Sequence, residues 1–295
     1  MIEHPPPGQR LRAALDAEQP LQMVGAINAY CAMLAEQAQF RAIYLSGAGV
    51  ANASHGLPDL GIITLDNVIE DVQRITAASD IPLLVDVDTG FDDITETVDR
   101  LIAAGAAGLQ IEDQISSKRC GHRPNKQLVS TGVMMSRIDE AVTARNHCDP
   151  SFVIMARTDA VASEGEVAAL QRMQHYIDAG ADMLFPEALS ELAQYQRIVK
   201  AVNTPVLANI TEFGQTPLFD IHALQSAGVA IALYPLSIFR MMSAAAWDGY
   251  STIRREGTQQ RLVNRMQTRD ELYQHLDYYH DEAALDDGDN DDSGK

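Results

Sequence analysis

No run in this 295-residue sequence is apolar for long enough to span a bilayer, so no membrane association is expected. The opening MIEHPPPGQR has no basic stretch followed by an apolar block, which argues against a secretory signal. Cysteine is scarce. Cys31, Cys120 and Cys148 are odd in number and scattered, and they form neither a CxxC pair nor a disulfide framework. That usage fits a reducing cytoplasm. Basic residues are outnumbered, 22 Lys and Arg against 41 Asp and Glu, for a net charge of −19. Such a balance excludes nucleic acid as a partner, because phosphate binding needs a basic face. Part of the excess is local: residues 281–295, DEAALDDGDNDDSGK, read as an acidic, disordered tail.

What is present is a rhythm. Short apolar, β-branched runs occur at 23–28, 42–47, 82–88, 107–113, 152–158, 182–188, 205–211 and 229–235. Helical patterns such as TLDNVIEDVQRITAAS and EVAALQRMQHYIDAGA lie between them, and LIAAGA, YIDAGA and LQSAGV end helices on a capping glycine. Eight strands, each followed by a helix, predict an α/β fold: a (β/α)8 TIM-type barrel over residues 1–280 with additional C-terminal helices. A doubly wound sheet shares the alternation, but no GxGxxG follows the first strand.

Barrel enzymes draw their chemistry from strand C-termini. Here those ends carry Ser46-Gly47, Asp86-x-Asp88, Glu112-Asp113, Arg157 with Asp159, Glu187, and Asn209 with Thr211. Taken together they point to a metal and an anionic ligand. Alternate residues share one side of a strand, so Asp86 and Asp88 can approach one ion. Carboxylates without His or Cys favour a hard cation, Mg²⁺ above all. The competing reading is that these acids cap the following helix.

After the fourth strand comes KRCGHRPNK, residues 118–126, a cationic stretch around a lone thiol in an acidic chain. Gly121 and Pro124 keep it from being helical, so it reads as a loop over the barrel mouth. Neighbouring cations lower a thiol's pKa and draw in anions. Cys120 beside Lys118, Arg119 and His122 is therefore a candidate acid–base group facing a carboxylate substrate. Cys31 reads as helix core and Cys148 as a turn residue.

These residues carry a resemblance. KRCGH and ANITEFG, with YLSGAGV, GLPDLG, IEDQ, VIMARTDA, MLFPEA and MQTRDELY, resemble the isocitrate lyase/phosphoenolpyruvate mutase superfamily and, within it, the 2-methylisocitrate lyase branch. The resemblance implies cleavage of a tricarboxylate, 2-methylisocitrate, to pyruvate and succinate in propionate breakdown by the methylcitrate cycle. It also implies Mg²⁺, with Mn²⁺ as a substitute, and a homotetramer whose subunits exchange a C-terminal helix.

By the same resemblance, Asp86 and Asp88 are metal-site carboxylates, with Asp59 and Glu112 in the surrounding acidic shell. Ser46, Gly47, Ala48 and Arg157 hold the pyruvyl portion, and Gly121, His122, Asn209 and Thr211 the succinyl carboxylates, with Glu187 close by. Cys120 delivers a proton, Lys118 belongs to its loop, and Tyr44 is the base. Phe185, following the sixth strand, and Leu233 and Pro235, following the eighth, would line a pocket for the methyl group. The sequence departs from the family pattern after DVDTGF, where a shorter, more acidic DDITETV begins at Asp92, and at Ala48, where a third glycine is common. Rival readings are a superfamily lyase acting on isocitrate or dimethylmalate, and an inactive barrel kept for binding.

Overall fold

The computed structural model describes residues 5–115, 126–280 and Glu282. Eight parallel strands form one sheet: β1 (Leu21–Gly25), β2 (Ala42–Leu45), β3 (Leu83–Asp86), β4 (Gly108–Glu112), β5 (Val153–Thr158), β6 (Met183–Pro186), β7 (Leu207–Asn209) and β8 (Ile231–Tyr234). Their order is β6-β5-β4-β3-β2-β1-β8-β7. A single bridge between Leu184 and Val206 joins the two ends and makes a nearly closed (β/α)8 barrel. Seven of the eight runs expected from the sequence contain one strand each and the first overlaps its strand, and the strands are mostly shorter than the runs. β1 begins earlier than expected, at Leu21, and ends at Gly25 because the chain turns there toward Asn28, the cap of helix Ala29–Gln37.

Strand alternation divides the apolar residues into two compartments. Met23, Tyr44, Leu84, Val153, Met155, Phe185, Leu207 and Leu233 point into the barrel and fill it. Their neighbours Val24, Ile43, Val85, Leu109, Ile154 and Ala208 point outward against helix residues such as Val72, Leu101, Ile138 and Ile198. Helix Leu65–Thr76 starts on a capping box of Thr64 and Asn67. The glycines of the AG endings, Gly105, Gly180 and Gly228, have φ of 85°, 101° and 78° and lead into the following strands.

Helix Pro7–Ala17, which the strand pattern does not announce, supplies Leu11, Ala14 and Leu15 to the interior compartment. It lies at the N-terminal end of the strands. A Cβ on Gly8 would meet the Ser151 carbonyl oxygen at 2.2 Å, and Arg12 pairs with Asp182 at 3.0 Å. The barrel floor is closed.

The contacts group the chain into two compact units, Met1–Phe239 and Arg240–Lys295. The second holds the rest of helix Ser237–Glu256, a 3-10 turn at Gln260–Arg265 and helix Arg269–His275. Within it Arg261 donates to Glu256 and to Thr252 at 2.9 and 2.7 Å. The acidic tail, Glu282 apart, lies outside the described residues. Among the described residues no helix is long and apolar enough to cross a membrane.

Cys31 is buried in helix Ala29–Gln37 as expected, and burial pushes its thiol pKa up. Cys148 departs from expectation. It is the last residue of helix Thr131–Cys148, exposed, with its thiol donating to Asp99 at 3.2 Å. The helical pattern simply runs to the Asp149 cap.

At Gly25 the barrel wall permits no side chain, since a Cβ there would lie 1.8 Å from the Pro235 carbonyl oxygen. Gly25→Ala must therefore move backbone. It is expected to lower stability by about 3 kcal/mol, at the upper end of overpacking costs, as measured by urea unfolding. A change within about 0.5 kcal/mol, the scale of an ordinary surface substitution, would show that β1 and β8 yield freely.

Candidate active site

The polar strand ends gather at the C-terminal mouth, and Arg157 at the end of β5 is their centre. Its Nε lies 3.2 Å from Asp159 and 3.3 Å from Glu112, and its Nη2 lies 3.1 Å from Glu187. The guanidinium carbon sits 5.1 Å from the centre of the Phe185 ring, adding a cation–π contact. Burial disfavours the charged guanidinium, but Asp159, then Glu187, Glu112 and Asp86 outweigh it and hold its pKa well above the ordinary value. Two edges of the fork are thus taken by protein. The Nη1 edge has no hydrogen bond to a described residue, and a carboxylate of a ligand would fit it.

Glu187 is itself held by Asn209, whose Nδ2 lies 3.4 Å from each carboxylate oxygen. Among the described residues the buried Asn209 Oδ1 has no hydrogen-bond partner. Thr211, two residues on, is buried beside the same rim.

Asp86 and Asp88 form the second focus. Asp86 ends β3 and accepts from the backbone N–H groups of Gly47 at 3.1 Å and Asp88 at 3.2 Å. The expectation that Asp88 shares the strand is corrected. It lies beyond β3 in a left-handed conformation, φ 52°, and its carbonyl accepts from the Glu112 N–H at 2.8 Å. The turn, not strand alternation, brings the two acids together. A Cβ on Gly47 would lie 3.2 Å from Asp88 Oδ1 and 3.4 Å from Asp86 Oδ2, so the missing side chain leaves a gap facing both. Among the described residues no three or more His, Cys, Asp or Glu converge as a metal cage. Two buried carboxylates around an empty-sided turn fit a hard cation that keeps water or substrate oxygens as its other ligands.

The capping alternative is answered here. The helix after this turn, Ile94–Ala103, is capped by Asp93, whose side chain accepts from the Glu96 N–H at 2.9 Å. Neither Asp86 nor Asp88 caps that helix. Asp92 is exposed, and with Asp88, Asp93, Asp66, Glu96 and Arg100 it lines a cavity of about 360 Å³ on the helix side of the turn.

Tyr44, in β2, is buried inside the barrel and donates to Gln110 Oε1 at 2.8 Å. Burial, then Asp86, pushes its phenol pKa well above the ordinary value. Ser46 follows β2 and opens a short helical turn, Gly47–Gly49, that continues as a π-helical turn, Val50–Ser54. Ser46 is buried and Ala48 half-buried, while Asp59 is half-buried further along the same connection. Phe185 and Leu233 lie within β6 and β8 rather than after them, which corrects their placement. Both belong to the barrel interior, and Pro235 is buried just beyond β8. Lys118, Cys120, Gly121 and His122 lie outside the described residues.

Residues 11–254 match the family described as phosphoenolpyruvate phosphomutase. The chain belongs to that family. It is 58% identical to a 2-methylisocitrate lyase of Salmonella typhimurium strain LT2, over 95% of this chain and 96% of that protein. Among solved structures it is similar to a 2,3-dimethylmalate lyase described as a PEP mutase/isocitrate lyase superfamily member. The TM-score there is 0.88 at 29% identity, covering 96% of each chain. It is also similar to phosphonopyruvate hydrolase in complex with oxalate and Mg²⁺, TM-score 0.82 at 28% identity, covering 95% and 98%.

Within this family framework the sequence reading left several buried polar residues unassigned. Asp159 is fully buried and pairs with both Arg157 and Lys126. Asp113, one layer away, accepts from Thr158 at 2.7 Å, the Asp159 N–H at 3.0 Å and Tyr176 at 2.8 Å. Burial raises its pKa against those bonds. Gln110 is the third. Its signal was available: it is the polar member of an apolar run, two residues before Glu112 and so on the same face.

Removing Arg157 would strand Glu112, Asp159 and Glu187 together without their shared cation. Arg157→Met is expected to cost roughly 3–5 kcal/mol, the scale for breaking a buried ion pair on one side. Urea unfolding measures this, and an unchanged midpoint would show that the acids do not depend on Arg157.

Proposed function

We propose that the chain is a carbon–carbon lyase that cleaves 2-methylisocitrate to pyruvate and succinate. The observation that carries the reading is the pairing of two foci at one mouth. Asp86 and Asp88 converge beside Gly47, and Arg157 is held by three acids with one edge left over. A divalent cation and a carboxylate of a hydroxy acid fit those foci respectively. The relative's name gives the substrate.

Retro-aldol cleavage needs the hydroxyl proton removed. The oxygen's electron pair then forms the pyruvate carbonyl, the carbon–carbon pair passes to the succinyl carbon, and that carbon takes a proton. Tyr44 is the base in this reading. Its raised pKa makes the phenolate strong and scarce. Cys120 is the acid, in the cationic loop with Lys118, Gly121 and His122. Asp86 and Asp88 hold Mg²⁺, or Mn²⁺ in its place, with Asp59 and Glu112 around them. When bound, such a cation stabilises negative charge developing on oxygen. Ser46, Gly47, Ala48 and Arg157 hold the pyruvyl end. Asn209 and Thr211 take the succinyl carboxylates, with Asn209 Oδ1 available as an acceptor only for a donor such as an ordered water. Phe185, Leu233 and Pro235 shape the space for the methyl group, and the Phe185 ring also braces Arg157.

The same reading places the enzyme in the cytoplasm, in propionate breakdown by the methylcitrate cycle, with residues 1–280 as the working body and 281–295 as a solvated tail. It makes the assembly a homotetramer that exchanges a C-terminal helix. Support for the last comes from helix Ser237–Glu256, which leaves Met241, Trp247 and Tyr250 about 70% exposed or more.

The deciding experiment is an assay of pyruvate and succinate release from 2-methylisocitrate and from isocitrate. A preference for the methylated acid of roughly 10–200-fold in kcat/KM is expected, the scale of one methyl contact. EDTA should abolish turnover, and Mg²⁺ should restore it. Full activity in metal-stripped protein would remove the cation from the reading, and equal kcat/KM for the two acids would remove the methyl pocket. Separately, Cys120→Ser should bind substrate yet turn over about 100-fold or more slowly, the scale for loss of a general acid. Wild-type turnover in that variant would return Cys120 to a structural role.

A further inference from the structure

We infer that Asp159 is a positioning residue that fixes the plane of the Arg157 guanidinium, and so decides where its remaining edge meets a ligand carboxylate. The inference deepens the reading of Arg157 as a holder of the pyruvyl end and rests on it. Asp159 stands at the N-cap of helix Ala160–Glu164, where an aspartate side chain ordinarily accepts from the first N–H groups. It makes no such bond, and Thr158 Oγ1 accepts from the Ala160 N–H instead, at 3.2 Å. The fully buried carboxylate meets Arg157 twice: Oδ2 accepts from Nε at 3.2 Å and Oδ1 from Nη2 at 3.4 Å.

Charge alone does not call for this acid. Glu112 and Glu187 already meet the guanidinium, each at one nitrogen, at 3.3 and 3.1 Å. A third carboxylate adds a buried charge, and a second buried cation, Lys126, pairs with it. What Asp159 adds is geometry. Single contacts leave a planar fork free to tilt, whereas two parallel contacts from one carboxylate define its plane. The carboxylate is held in turn. Its Oδ1 also accepts from Lys126 Nζ, and its Oδ2 from Gln114 Nε2 at 3.3 Å. A carboxylate has about four acceptor sites, so two donors on each oxygen occupy them all. Backbone bonds fix the outer donors. The Ile115 N–H donates to the Gln127 carbonyl at 3.0 Å and the Val129 N–H to the Asp113 carbonyl at 2.9 Å, which pins the segment carrying Lys126 against the one carrying Gln114.

Calorimetric titration of the Mg²⁺-loaded protein with pyruvate and with succinate tests this, the readout being the ratio of their dissociation constants. Asp159→Asn keeps the shape but sets an amide donor against the donors of Arg157 or Lys126. It should weaken pyruvate about 10–100-fold relative to succinate, the scale of a hydrogen bond to a charged group. A relative shift under about tenfold overturns the inference, and that includes the equal loss for both acids that a merely structural role would give. Arg157→Lys keeps the charge but has no plane to fix, so it should shift the same ratio. Adding Asp159→Asn to it should then change the ratio by no more than about threefold, and multiplying effects would overturn action through Arg157. An unshifted ratio in Arg157→Lys would overturn the reading of Arg157, and this inference with it. Should Asp159→Asn fail to fold, Gln114→Leu decides, since it leaves every charge in place and releases one side of Oδ2. A shift of about threefold or more against pyruvate, the scale of one ordinary hydrogen bond, supports the inference, and a smaller one overturns it.

Discussion

Arg157 is the constraint on which the mouth of the barrel depends. A cation at the end of β5 meets Glu112, Asp159 and Glu187, from three different strand ends, and offsets the negative charge they bring into a buried space. The dependence is mutual, because a buried guanidinium without those acids would be equally costly. It also explains the division of labour. The fixed cation occupies one group of carboxylates, whereas Asp86 is held by backbone N–H groups of Gly47 and Asp88.

Left-handed backbone positions occur at both ends of the barrel. Where helices lead back into strands they are Gln39, Gly105, Gly180 and Gly228. At the opposite end, Asp88, Ala188 and Phe213 adopt the same conformation with side chains, after β3, β6 and β7. Such positions persist only where surrounding bonds enforce them. Glu187 accepts from the Ala188 N–H at 2.9 Å, and Asp86 accepts from the Asp88 N–H. The strained residues thus adjoin the acids whose orientation the site needs.

The fold was legible because its signal is repeated eight times. Apolar runs, helical patterns and AG endings all report the same alternation, so an error at one boundary does not alter the architecture. The rim was legible for a similar reason, since polar residues stand out at the ends of apolar runs. What escaped is what depends on contacts across the sequence. Asp88 converges on Asp86 through a left-handed turn that no spacing rule encodes. Asp93, not its neighbours at the strand end, takes the capping role that local chemistry would have allowed to any of them. Phe185 and Leu233 lie inside their strands, on the face that fills the barrel. Gln110 sits within an apolar run, where its partner Tyr44 lies 66 residues away.

Helix Pro7–Ala17 gives the barrel unit a stopper at its base. A vessel stoppered at one end has a single doorway. Whatever enters to be cleaved, and both fragments that result, pass the same rim of acids and the same guanidinium. Fragments cannot drain through the back while substrate arrives at the front, so each turnover ends with the entrance being cleared.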